Sequence, residues 1–358
     1  MNHPSDPDNR PAVISPTWWI VAVVFVAAVA GVVATGLIDR SGTRGKRLAE
    51  QFEYRIDDYK KVDPAWIRWR QTAMFDVRVP QARAIAVGPE DRVYVAGPQA
   101  LHVLEPDGKA RTEVALESAP SCLAVGGARH AVLGRIYLGL KDRMELRQPD
   151  GTPAGDWESL GPKALLTSIA LGEKDVFAAD AGSGMIYRFD VDGKQLGRIG
   201  QRDAERRLGR FVVPSPFFDV AVAPAGTLYA VNPGLLRIES YTPDGKLQLF
   251  WGRGSAEIDG FFGCCNPANI AVLPDGRIVA AEKGLLRVKV YSAEGALDGV
   301  VAGPEQLDSP GAAPEEGLAD REYAAVDVAV DSRGRVLVLD RTTGVVRVFE
   351  EKARDKET

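Results

Sequence analysis

One phrase recurs six times along the chain, and it constrains the fold more than any other feature. An aliphatic residue, an alanine and a second aliphatic residue follow one another at Ile85–Val87, Leu123–Val125, Ile169–Leu171, Val220–Val222, Ile270–Val272 and Val328–Val330. A turn follows each phrase, as at Pro274-Asp275-Gly276 and Ser332-Arg333-Gly334. A second apolar strand such as "RIVAAE" comes next, then a short loop, then a third strand such as "LLRVKVY". Most units close at another turn, as at Pro106-Asp107-Gly108 and Pro243-Asp244-Gly245. Short strands separated by glycine turns, at a period of about 40–50 residues, are the pattern of a β-propeller. The alanine has a steric reason, because inner strands crowd together where blades converge. Six phrases imply six blades. The sixth unit ends at "VVRVFEE" without a fourth strand, whereas "TAMFDVRV", residues 72–79, precedes the first phrase and has no unit of its own. Pairing the two supplies the missing strand and removes an exposed edge.

The rest of the chain divides around this array. Residues 1–17 read as a disordered tail. Residues 18–38, "WWIVAVVFVAAVAGVVATGLI", carry no charge. As a helix of about 1.5 Å per residue they would cross a bilayer core of about 30 Å. Trp18–Ile38 is therefore expected to be a retained transmembrane anchor, longer than the apolar region of a cleaved signal. Residues 39–71 form a charged linker, 72–352 the propeller and 353–358 a C-terminal tail. Within the linker, Asp63 and Pro64 signal a helix start, which would place Trp66 and Trp69 on one face against the following domain. Arg40, Arg44, Lys46 and Arg47 follow the apolar segment and Arg10 alone precedes it, so the positive-inside rule keeps the propeller in the cytoplasm. A net charge of −5 argues against a nucleic-acid binder. Three cysteines cannot build a fully paired disulfide framework.

The units "NIAVLPDGRIVAAEKGLLRVKVYSAEG" and "DVAVAPAGTLYAVNPGLLRIESYTPDG" resemble NHL repeats, and the resemblance covers residues 72–352. The expected fold is all-β, a six-bladed NHL-like propeller preceded by one N-terminal transmembrane helix. The segment "GFFGCCNPANIAVLPDGRIVAAEKGLLRVKVY" also looks like a bacterial group of membrane-anchored NHL proteins with a Gly-Cys-Cys-Asn-Pro phrase. That resemblance implies an exported, periplasmic domain, against the charge count. NHL-type propellers include protein- and RNA-binding modules, amidating lyases and relatives among the lactonases, so fold does not fix function.

Candidate sites lie on the face that carries the connections between blades. Cys264, Cys265 and Asn266 fall on the connection from blade four to blade five, and Glu282 and Lys283 on the second-to-third-strand loop of the same blade. Cys264, Cys265, Glu282 and Lys283 are expected near one another at the channel mouth, and Asn266 is a further binding candidate on the same face. The adjacent thiols read as buried loop residues, as a redox or soft-metal pair, or as a nucleophile. His102 and His130 are not placed to serve as a base. A disulfide between neighbours is strained, because their α-carbons are held about 3.8 Å apart, below the usual range of about 4.4–6.8 Å. The residues preceding the phrases are Ala84, Cys122, Ser168, Asp219, Asn269 and Asp327. Asp219, Asn269 and Asp327 could supply oxygen ligands to Ca²⁺ or bond to nearby backbone. Asp180, Asn232, Glu282 and Asp340 open the second-to-third-strand loops and mostly read as turn residues. Two function classes follow: a non-catalytic, membrane-tethered scaffold that docks a protein or holds a redox or metal group, and a divalent-metal-dependent hydrolase or lyase.

Overall fold

Each recurring phrase forms the inner strand of a four-stranded antiparallel sheet, and there are six such sheets. The computed structural model describes residues 19–21, 23–29, 59–79, 81–201, 209–307 and 326–353. The inner strands are Ala84–Val87, Cys122–Val125, Leu166–Leu171, Val220–Val222, Asn269–Val272 and Val326–Val330. The second, third and fourth strands follow outward in chain order in blades one to five. Blade six breaks that order: its outer strand is Trp69–Asp76, paired antiparallel with Val345–Glu351 from Trp69↔Glu351 to Asp76↔Val345.

The closing strand begins at Trp69, three residues before the expected start at residue 72. The helix signal is real but short. Asp63 Oδ1 accepts the Ala65 amide at 2.9 Å, and the turn ends at Trp66. Ile67 is already extended, so Trp66 and Trp69 do not share a helix face. Trp69 is 2% exposed and lies beneath the Arg277 guanidinium. Ahead of that turn, Tyr59 stacks on Phe262 with ring centroids 6.0 Å apart, so the chain reaches the propeller on the face that carries the cysteine loop.

The core is distributed between blades. Six apolar clusters occupy the six junctions; one of them joins Val279 and Val288 of blade five to Val336 and Phe349 of blade six. The phrase alanines pack into these junctions, Ala170 against blade four and Ala329 against blade one. The ring seam is tight. At Gly108, where φ is +85°, a β-carbon would stand 2.1 Å from the Phe75 ring of the closing strand, so the turn residue must be glycine on both counts.

Residues 1–55 form a separate unit. Within it, residues 19–21 and 23–29 are helical, with exposed apolar side chains. Among the described residues no helix is long and apolar enough to cross a membrane. The spanning helix expected over Trp18–Ile38 is therefore not found among the described residues. The remainder of that segment lies outside the described residues, as do residues 202–208 and 308–325.

Candidate functional site

The inner strands surround a cavity of about 670 Å³ that opens on the connection face. Its wall includes Cys122, Ser168, Asp219, Asn269 and Asp327, all beside the recurring phrases, with Arg83, Phe217 and Arg341 among its other lining residues. The polar groups near the wall bond from blade to blade. Ser121 Oγ donates to Leu166 O at 2.6 Å, Thr167 Oγ1 to Phe218 O at 2.6 Å and Asn269 Nδ2 to Val326 O at 2.8 Å. The Ile270 amide donates to Asp219 Oδ2 at 2.5 Å, and the Ile85 amide to Asp327 Oδ2 at 2.9 Å. Five junctions are stapled in this way. Blade one presents Ala84 at the equivalent position, which has no polar side chain to offer.

These bonds define the hub chemistry. Each carboxylate spends its second oxygen on the next amide in its own strand, Val220 for Asp219 and Val328 for Asp327, both at 2.9 Å. Burial pushes Asp219 up to about 7, and the negative charge of Asp327 adds to the rise. Burial also raises Asp327, opposed by the Ile85 amide and the Arg341 charge. Cys122 is pushed up to about 12 by burial. The structure thus brings Asp219, Asn269 and Asp327 around one channel, with each carboxylate oxygen accepting a backbone amide. Among the described residues, no group of three His, Cys, Asp or Glu side chains converges as a metal site.

The cysteine loop sits beside this cavity rather than in its wall. Cys264 is exposed, Cys265 is buried, and none of the three cysteines is in a disulfide. The loop is pinned at both ends. Upstream, the Phe262 amide donates to Glu282 Oε2 at 2.7 Å. Downstream, Asn266 Nδ2 donates to Phe262 O at 2.6 Å and to Lys283 O at 3.1 Å, while its Oδ1 accepts the Lys283 amide at 2.9 Å. Lys283 Nζ lies 4.4 Å from the centroid of Phe217, which belongs to the cavity wall. Burial raises the Cys265 thiol, as does the neighbouring Cys264, whereas the Ser215 hydroxyl and the Lys283 charge pull it back.

Glu282, expected at the mouth, is instead 0% exposed. Arg287 grips it through two nitrogens at 3.1 and 3.0 Å, and Lys289 Nζ approaches at 2.5 Å. Lys289 also donates to Gly260 O at 2.5 Å and Ile258 O at 3.1 Å, so the cluster ties the incoming connection to the blade. Desolvation pulls Lys289 down to about 8 despite Glu282. The same positions fifty residues earlier are Asn232, Arg237 and Glu239. There Asn232 Nδ2 and Arg237 Nε both donate to Glu239 Oε1 at 2.7 Å, and Tyr241 donates its hydroxyl to the other oxygen.

A common rule emerges for the second-to-third-strand loops. The Leu165 amide donates to Asp180 at 2.6 Å, the Val212 amide to Asn232 at 3.0 Å and the Phe262 amide to Glu282. These residues clamp the incoming connections, and Asp340 accepts the turn amides of Thr342 and Thr343. His130 is buried between Gly172 O and the Tyr137 hydroxyl, and His102 lies 3.7 Å from Glu113, so neither reaches the thiols. Ser215 and Phe217 were not singled out from the sequence. Their position before the blade-four phrase, in the equivalent of the cysteine loop, was the available signal.

An all-β propeller with a polar-lined hub and a pinned dithiol loop is the class that this geometry defines. The chain matches no protein-family model and no curated protein. Among solved structures it resembles virginiamycin B lyase from Staphylococcus aureus, at 12% identity and a TM-score of 0.52, covering 79% of this chain and 100% of that one. It is also similar to a streptogramin B lyase structure, at 14% identity and a TM-score of 0.53, covering 81% of this chain and 100% of that one. At these identities the likeness establishes the propeller fold.

Proposed function

We propose that the chain is an anchored, non-catalytic NHL-type propeller. Its working surface is the connection face around Cys264, Cys265, Asn266 and Lys283, where a protein partner docks and a redox or soft-metal group is held. The observation that carries this reading is how the polar groups are used. The hub carboxylates and Glu282 are engaged by backbone amides and buried cations. Cys264 is exposed at the rim, and Lys283 has no carboxylate partner among the described residues. The exposed apolar side chains of residues 19–21 and 23–29 support an anchor in this segment; the resemblance to membrane-anchored bacterial NHL proteins, not the charge count, supports a propeller outside the cytoplasm.

A photo-crosslinker attached at Cys264 in native membranes tests the docking face. The expected result is one discrete adduct that excess purified propeller competes away. The same reagent on the double variant Cys264→Ser, Glu294→Cys, whose new thiol lies in an exposed turn of the opposite face, should give none. Equal adducts from both faces, or none from Cys264, would overturn the reading. A second reading, a hydrolase or lyase holding Ca²⁺ at Asp219, Asn269 and Asp327, draws support from the lyase names of the structural neighbours. Against it, those carboxylates are aimed at amides of the adjoining strands.

A further inference from the structure

We infer that Cys264 and Cys265 form a two-thiolate site for a soft monovalent cation of the Cu(I) class, with Lys283 as its counter-charge. This deepens the thiol part of the proposed function and rests on Cys264 being reachable in the native fold.

The dipeptide is framed and yet unused by the fold. Phe262 and Asn266, on either side of it, are fixed by Glu282 and by the Lys283 backbone. Glu282 is in turn fixed by two buried cations. Neither sulfur is part of that frame. Cys265 also adopts φ 61°, in the left-handed region. A side chain there costs about 1–2 kcal/mol, and such strain persists where the surroundings hold it in place. Glycine would relieve it, but position 265 carries a thiol.

Burial raises the Cys265 thiol, but two polar groups beside it are suited to a cation-bound sulfur. Lys283 brings a positive charge toward it, with the Phe217 ring as the other neighbour of its ammonium. Ser215 stands beside it with a buried hydroxyl oxygen that has no hydrogen-bond partner among the described residues. A neutral thiol is a weak acceptor for both. A sulfur bound to a cation is deprotonated and gives each a strong one.

The ligand class follows from the donor count. Structural zinc requires about four ligands, and hard divalent ions require oxygen. Adjacent sulfurs suit a soft ion of low coordination number. On binding, each S–H bond breaks and two S–Cu bonds form. Two protons leave to solvent, copper stays monovalent, and the bis-thiolate complex carries one negative charge opposite Lys283. Cys122 lines the hub cavity and is not part of this loop.

The test is an anaerobic titration of the reduced full-length protein with Cu(I) against a chromophoric Cu(I) chelator. Wild type should withdraw a single equivalent, and Cys264→Ser should withdraw none. Lys283→Ala should bind about tenfold more weakly, the loss typical of an outer partner of a metal site. Thermal melting checks that each variant is folded. Capping Cys264 of the wild type with a methylthio group repeats the test without a substitution. If the chelator keeps all the copper, or Cys264→Ser binds as tightly as wild type, the inference is overturned. A thiol count on the native protein separates the two levels. One fast-reacting thiol without copper binding defeats this inference alone, whereas no reactive thiol defeats the proposed working surface as well.

Discussion

Replacing Asp219 with asparagine tests the hub at nearly constant shape. Asp219 accepts the Val220 amide at 2.9 Å and the Ile270 amide at 2.5 Å through separate oxygens. Its carboxyl is raised from 3.8 to about 7, first by burial and then by Asp327. A folded value above the unfolded one means that the native state binds the proton more tightly. That stabilisation is complete below the unfolded value and is lost as pH rises through the folded one. The window therefore runs from about pH 4 to about pH 7. At about 1.36 kcal/mol for each tenfold in the proton equilibrium, the rise corresponds to about 4 kcal/mol. Asp327, raised by the same cause, contributes with the same sign. Asparagine cannot ionise and lacks this slope. It also offers one oxygen to two amides, at a cost of about 1–3 kcal/mol at every pH. Urea unfolding followed by tryptophan fluorescence measures both effects. The variant should be the less stable protein near pH 4 and the more stable near pH 8, the difference changing by about 4 kcal/mol. A difference that stays constant to within about 1 kcal/mol would refute the reasoning.

Trp69→Ala should destabilise the propeller by about 3–5 kcal/mol, because the indole is buried in the strand that closes blade six. The same urea experiment checks this, and a loss below about 1 kcal/mol would mean that the seam carries little of the stability. Alkaline phosphatase fused to Thr358 should be active if the propeller is exported. A silent fusion, with a bright cytoplasmic reporter at the same position, would show that the basic cluster from Arg40 to Arg47 sets the orientation.

The blades were legible because their repeat is local: each phrase, turn and strand can be read without knowing its neighbours. The start of the closing strand was not. Asp63 and Pro64 do open a helical turn, and the spacing of Trp66 and Trp69 imitates its continuation, but Ile67 extends and pairs beside Val300. The hub residues could be aligned by sequence, and bonding to backbone was one of the two uses expected of them, but which strand they would hold could not be read. The partners of Asp219 and Asp327 are backbone amides of the next blade, which every sequence possesses. Asn266 and Lys283 do meet, as their loops suggested. Glu282 misled because glutamate, arginine and lysine are seldom fully buried unless paired. The pairing with Arg287 and Lys289 needs three residues of one blade to face the same connection. A comparison of that blade with its predecessor offers a clue, since Glu239 stands where Lys289 does and its buried partners change accordingly.

The pairing of Trp69–Asp76 with Val345–Glu351 has a consequence for biosynthesis. The closing strand leaves the ribosome among the first parts of the propeller, but its partner is among the last. At about 5–20 residues per second, the intervening chain takes roughly 14–55 s to translate. Throughout that interval the closing strand has no sheet to join and Trp69 has no blade to enter, and blade one lacks the neighbour that fills its seam. Nascent chains stalled before residue 345 should therefore engage chaperones through this early segment. A circular permutant that joins the natural ends and opens between two other blades would shift that exposure to a different strand while keeping every native contact at the present seam.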